Sequence, residues 1–231
     1  LDIPVFHDDQ HGTAIVVLAA LRNALKLVKK DMSKVKIIMS GAGAAGTAIA
    51  RLLVLSGATN IIAFDIDGVI SKNSSSDGAM RDWFIEHSNK DDFKGSIHEA
   101  LSGADIFIGV SAPNVLKEAD IASMAAGSIV FALANPDPEI DPVIARKYAA
   151  VVATGRSDHP NQINNVLAFP GIFRGLLDAN AHKITDKLLV AAAVAIADCV
   201  SPSQLNTSFI VPSVFDPNVV TQVAAAVKKS V

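Results

Sequence analysis

Short, nearly continuous apolar runs alternate along the chain with longer stretches that are apolar on one face only. The runs at 35–39, 60–64, 105–110, 128–134 and 150–152 are rich in Val, Ile, Phe and Ala, which is how strands buried on both faces of a parallel sheet read. The stretch 13–30 is apolar at Ile15, Leu18, Leu21, Leu25 and Val28, a three-or-four spacing that predicts one helical face. Lys29 and Lys30 then fall in its last turn, where cations suit the helix dipole. Helices are also predicted over 44–56 and 142–148, and Ser96-Ile97-His98-Glu99 has the spacing of a capping box opening a short helix to Leu101. Strands alternating with helices predict an α/β fold: a doubly wound, mostly parallel sheet with helices on both faces. After Gly155 the strand signals stop, and 164–180, 186–198 and 216–229 predict a helical C-terminal layer. The stretch 73–78 is the clearest exposed loop. No repeat or linker interrupts the pattern, so 1–231 is read as one domain.

Composition agrees. Hydrophobic residues make up 50% and charged residues 19% of the 231, enough for a sizeable core and too apolar for a disordered chain. Twenty basic against 23 acidic side chains leave a net charge of -3 with no basic cluster, so a nucleic-acid partner is not expected. Cys199 is the only cysteine, which excludes an intrachain disulfide and points to a reducing, cytoplasmic setting. The apolar stretches 14–21 and 188–197 are cut short by Arg22 and Asp198, so a membrane span is not expected either. The opening Leu1-Asp2-Ile3-Pro4 has neither a basic region nor a long apolar one, and reads as the start of a piece of a longer protein.

Gly41-Ala42-Gly43-Ala44-Ala45-Gly46 fits G-x-G-x-x-G between a predicted strand and a predicted helix, the context of a Rossmann-like dinucleotide site. Gly41 allows the tight turn, Gly43 lets backbone approach a pyrophosphate, and Gly46 lets the helix pack closely. The amide groups opening the helix face the phosphates. The next strand ends at Asp65, close to the expected ~20-residue spacing for an acid that reads the ribose hydroxyls. Ile66-Asp67-Gly68-Val69 contains no cation for a 2′-phosphate, which favours NAD over NADP, although Lys72 is close in sequence.

His7-Asp8-Asp9-Gln10-His11 places four candidate ligands before the first helix. With no cysteine nearby, the vicinal acids favour Mg²⁺ or Mn²⁺ over zinc. Asp8 or Asp9 could equally be a helix cap. Asn135-Pro136-Asp137-Pro138-Glu139 follows the predicted strand 128–134 at its carboxyl end, where ligands gather in open α/β sheets. Asn161-Gln162-Ile163-Asn164-Asn165 is a second cluster. Asparagines supply donor and acceptor together, yet they also form turns without any ligand.

Ile3-Pro4-Val5-Phe6-His7-Asp8-Asp9-Gln10-His11-Gly12-Thr13-Ala14 closely resembles the start of the NAD-binding domain of prokaryotic malic enzymes. The glycine loop, Ala134-Asn135-Pro136 and the stretch 161–171, ending in Ala168-Phe169-Pro170-Gly171, match that family in the same order. The resemblance implies oxidative decarboxylation of (S)-malate to pyruvate and carbon dioxide, with NAD (less so NADP) and Mg²⁺ or Mn²⁺. It implies that Asp9 is a metal ligand and that Asp8 hydrogen-bonds the catalytic lysine. Asn135, Asn164 and Asn165 would hold the substrate, with Asn135 also on the nicotinamide side of the cofactor. In that family the acid–base tyrosine and lysine, and a Glu-Asp pair of metal ligands, lie in a preceding domain that is not in these 231 residues, so Tyr148 is not promoted to their role. The fragment alone is therefore expected to be inactive, and the family resemblance carries the expectation of a homo-oligomer, a dimer. Malolactic enzyme, which releases lactate, and a non-catalytic dinucleotide-binding module are the alternatives.

Overall fold

The computed structural model describes residues 3–231; Leu1 and Asp2, part of the opening tetrapeptide, lie outside the described residues. A widened π-helical turn, Asp8–Gly12, leads directly into α1 (Thr13–Val28). There follow β1 (Lys36–Ser40), α2 (Ala44–Leu55), β2 (Asn60–Asp65), β3 (Gly68–Val69), α3 (Ala79–His87) and α4 (Ile97–Leu101). Next come β4 (Ile106–Gly109), α5 (Glu118–Ala122), β5 (Ile129–Ala132), α6 (Pro142–Ala145) and β6 (Val151–Thr154). A 3-10 turn (Asn165–Leu167) then precedes α7 (Phe169–Asp178), α8 (Asp186–Asp198) and α9 (Pro217–Ser230).

The strands form one sheet in the order β3-β2-β1-β4-β5-β6, parallel throughout except for the short β3, which runs antiparallel to β2. The continuous apolar runs are explained by burial on both faces. Ile62, Ile38, Phe107, Val130 and Val152 are register partners across five strands and all face one core. The next register row, Ala63, Met39, Ile108, Phe131 and Ala153, faces the other. Helices α4, α5 and α6 cover the first core through Leu101, Ile121 and Ala145. The second is covered by α1 and α2, and α8 and α9 stack beyond α1 as the expected C-terminal layer. Helix α1 is consequently buried nearly all round: Ile15 through Leu21 are fully inaccessible. Together with its π-helical turn it forms a 21-residue helix, Asp8–Val28, long and apolar enough to cross a bilayer, but it is the core helix beneath the sheet.

Several boundaries differ from expectation for local reasons. α1 stops at Val28 because Lys29 turns left-handed (φ 56°); Lys30, beyond the helix, bonds Asp105 at 2.7 Å and ties the helix end to the start of β4. The helix predicted over 142–148 is only four residues long, capped by Asp141. The stretch 164–180 is two elements, broken at Ala168 where the 3-10 turn hands over to α7. The Ser96–Glu99 capping box is present with both reciprocal bonds.

Candidate functional site

The parallel strands point their carboxyl ends to one edge, and every candidate site residue on the sheet lies there. β1 ends in the glycine loop. Gly41 takes φ +104°, and a side chain on it would strike the Val110 carbonyl at 2.6 Å; one on Gly46 would overlap the Gly41 carbonyl. Gly43 has nothing within 4 Å of where a Cβ would stand, so the loop is closed behind and open in front. Thr47 in α2 holds the turn by donating its hydroxyl to the Gly43 carbonyl at 2.8 Å. Ala44, Ala45 and Gly46 open α2, and their amides have no intrahelical acceptors, while Ala42 completes the turn before them. This cradle presents backbone donors to open space, the geometry an anionic pyrophosphate requires.

Asp65 stands at the end of β2, as expected, but it is not bare. Arg81 in the first turn of α3 places Nη1 2.7 Å from Asp65 Oδ2 and 3.0 Å from Asp67 Oδ2. Contrary to the expectation from residues 66–69, a cation does stand beside the ribose acid: Arg81, delivered by a helix the apolar pattern does not mark, whereas Lys72 is exposed in the following loop.

Between β4 and β5 lies a residue that the sequence places among the candidate ligands and the structure turns inward. Glu139 is fully buried, accepting the Ser111 amide at 2.8 Å and hydroxyl at 3.2 Å on Oε1, and the Ala134 amide at 3.1 Å on Oε2. Ser111 in turn meets Ser40 at 2.8 Å, so one carboxyl joins the ends of β1, β4 and β5. Burial pushes the Glu139 carboxyl above the usual carboxylate range, against these hydrogen bonds. Asn135, adjacent to the Ala134 anchor, is exposed at the cleft edge.

The histidine–aspartate segment and the second asparagine cluster come together across 157 residues. Asn165 donates to the Asp8 carbonyl at 3.2 Å and accepts the Thr13 hydroxyl at 3.1 Å. Asn164 caps the 3-10 turn by accepting from the Val166 amide. Asn161, left-handed and buried, is a staple, donating to the Val152 and Thr207 carbonyls and accepting from the Ile210 amide. The capping alternative for the two acids does not hold: the helix begins at Asp8, its N-cap is His7, and no side chain caps it. Asp8 Oδ1 is instead buried against Gly12 without a hydrogen-bond partner. Burial raises the Asp8 carboxyl, with the Asp9 charge adding and the Asn165 amide opposing. Asp9 is exposed beside it. Among the described residues no three His, Cys, Asp or Glu side chains gather as a metal site. An orphaned buried carboxylate oxygen beside an exposed carboxylate fits part of a divalent-cation shell, not a whole one. Tyr148 follows α6 at the amino end of β6, away from this edge, and donates to Glu118 at 2.9 Å.

A doubly wound sheet with an open glycine cradle and an acid on the second strand defines a dinucleotide-binding domain. The chain belongs to the malic enzyme family: residues 10–231 match the family model "Malic enzyme, NAD binding domain". It is 52% identical to the NAD-dependent malic enzyme of Geobacillus stearothermophilus over 98% of this chain and 48% of that protein. It is 48% identical to the bifunctional malic/malolactic enzyme of Bacillus subtilis over 99% of this chain and 56% of that protein. With the NADP-dependent malic enzyme of Escherichia coli the identity is 41%, over 100% of this chain and 32% of that protein. The crystal structure of the NAD-dependent malic enzyme from Thermotoga maritima superimposes with a TM-score of 0.94 at 45% identity, covering 100% of this chain and 61% of that one. The chain thus spans about half the length of the first two of these relatives.

Proposed function

We propose that this chain is the cofactor-binding part of an enzyme that oxidises and decarboxylates (S)-malate to pyruvate and carbon dioxide, with NAD as the preferred acceptor and NADP less so. The observation that carries the reading is the Gly41–Gly46 cradle, open at Gly43 and bordered by Asp65, in a chain of this family. Hydride would leave C2 of malate for the nicotinamide, and the resulting 3-carboxy ketone would lose carbon dioxide. The electron pair left on C3 then takes up a proton, which balances the one lost from the hydroxyl. A divalent ion would supply Lewis-acid polarisation of the C2 oxygen. Asp9 would contribute one anionic ligand to it, and Asp8 would support the neighbouring groups.

Asn135, exposed beside the anchored Ala134 backbone, would bind substrate or the nicotinamide carboxamide. Asn165, whose amide already donates to the Asp8 carbonyl, would hold the substrate from beside the two acids. Asn164 would act beside it by setting the turn. The acid–base groups would come from the part of the protein that lies outside these residues. The assembled enzyme would be a homo-oligomer, a dimer.

Gly43→Val tests the cradle. The backbone at Gly43 is extended (φ -77°, ψ -158°) and its side-chain direction is empty, so the variant should fold normally. NADH titration of the full-length protein should show affinity falling at least tenfold; unchanged affinity overturns the site. Product analysis completes the assignment: pyruvate with stoichiometric NADH supports it, and lactate without NADH accumulation identifies the malolactic reaction instead.

A further inference from the structure

At the far end of the cradle, the acid that would read the ribose is shared with a cation. Arg81 is 15% exposed, lies 2.7 Å from Asp65, and bonds Asp67 at 3.0 Å. Its Nε is buried with no hydrogen-bond partner among the described residues. Asp65 also accepts the Asp67 amide at 2.9 Å through Oδ1. The carboxylate is thus partly neutralised, and the guanidinium beside it retains an unused donor. Asp67 is 69% exposed and faces solvent on the outer side of the pair.

These groups treat the two possible ribose substituents differently. A free 2′-hydroxyl needs only an acceptor, and an ionised carboxylate has lone pairs beyond the two already used. A 2′-phosphate brings a dianion, which two bare carboxylates would repel and a guanidinium fork would bind. We propose that Arg81 sets the discrimination between 2′-hydroxyl and 2′-phosphate dinucleotides: it stays on Asp65 and Asp67 when the ribose is unsubstituted and turns onto the phosphate when one is present. Asp67 is its competitor, because it both holds the guanidinium back and adds a repelling charge. The two acids tilt the site toward NAD, and Arg81 keeps NADP admissible.

The assignment rests on the dinucleotide reading above, and fluorescence titration of the full-length protein with NADH and NADPH separates the two. Arg81→Gln should weaken NADPH binding at least tenfold while NADH affinity stays within threefold. Asp67→Asn, an exposed change, should tighten NADPH binding at least threefold and leave NADH within the same limits. Equal shifts for both dinucleotides in Arg81→Gln overturn the proposal. If thermal melting shows that Arg81→Gln does not fold, Asp67→Asn decides, and no gain in NADPH affinity there overturns it. Wild-type protein that binds neither dinucleotide would instead overturn the site itself.

Discussion

Gly43 and Gly109 close neighbouring strands at the same edge of the sheet, yet they should respond in opposite ways to a single methyl group. The Cβ direction of Gly43 is empty, whereas at Gly109 it runs into the Glu139 carboxyl, with Oε2 at 2.7 Å. Gly109→Ala must therefore displace a buried acid that holds three strand ends, and overpacking of this kind costs about 1–3 kcal/mol. Urea unfolding should show that loss in Gly109→Ala and none in Gly43→Ala. The acid itself leaves a pH signature. Burial raises the Glu139 carboxyl above the ordinary glutamate value of 4.5, so the folded protein keeps a proton that the unfolded chain has already released. Stability from this group is then fully present below pH 4.5 and is lost as pH rises through the folded value. Glu139→Gln does not titrate and turns an N–H toward the Ala134 amide, so it should be less stable than wild type at pH 5, with the gap narrowing toward pH 8. Unfolding curves for both proteins at the two pH values test this; a constant gap would mean an unshifted carboxyl.

Helices α7 and α9 approach each other closely at two glycines. A methyl on Gly175 would stand 2.6 Å from the Val227 Cβ, and one on Gly171 would stand 2.5 Å from the Val223 Cβ. Gly175→Ala should cost about 1–3 kcal/mol by forcing the helices apart. Adding Val227→Ala should recover part of that loss, a coupling that a double-mutant cycle reads directly. The elements that were legible from sequence are those whose burial imposes a period. β4 and β5 carry no polar side chain, and β1 is apolar at Ile37, Ile38 and Met39, because both sheet faces are covered; α8 has the bounds its pattern predicts, Asp186–Asp198. α3 was not legible, since Phe84 is its one buried side chain and no stripe appears; Arg81 was hidden with it. The predicted 164–180 helix breaks at Ala168, where Pro170 in the first turn of α7 marks a new helix start that the apolar period hides, and β3 is two residues long. The glycine cradle was readable because its constraint is local, whereas the inward turn of Glu139 and the Asn165–Asp8 link depend on tertiary partners.

At the scale of the molecule, the carboxyl edge of the sheet gathers donors for a dinucleotide, and among the described residues no three carboxylate, imidazole or thiol groups gather that could hold a metal ion, in a chain that spans about half the length of the Geobacillus stearothermophilus and Bacillus subtilis relatives. Phe169, Phe173 and Leu177 also form an exposed apolar line along α7, continued by Phe6, which meets Phe173 at 5.7 Å. Binding and turnover should therefore separate. Mg²⁺ and Mn²⁺ surrender water reluctantly and need several oxygen ligands, so residues 1–231 alone should bind NADH, hold Mn²⁺ only weakly and turn over no malate. Joined to the remainder that its relatives carry, the protein should lose turnover on Asp9→Asn while NADH affinity stays within about twofold. Asn retains the size and hydrogen-bonding shape of Asp and lacks only the anion that a divalent cation requires. Since no side chain caps this helix, a capping effect cannot produce the loss. Steady-state rates of Asp9→Asn across a Mn²⁺ titration decide the point: turnover near that of the wild type at every metal concentration would remove Asp9 from the metal shell.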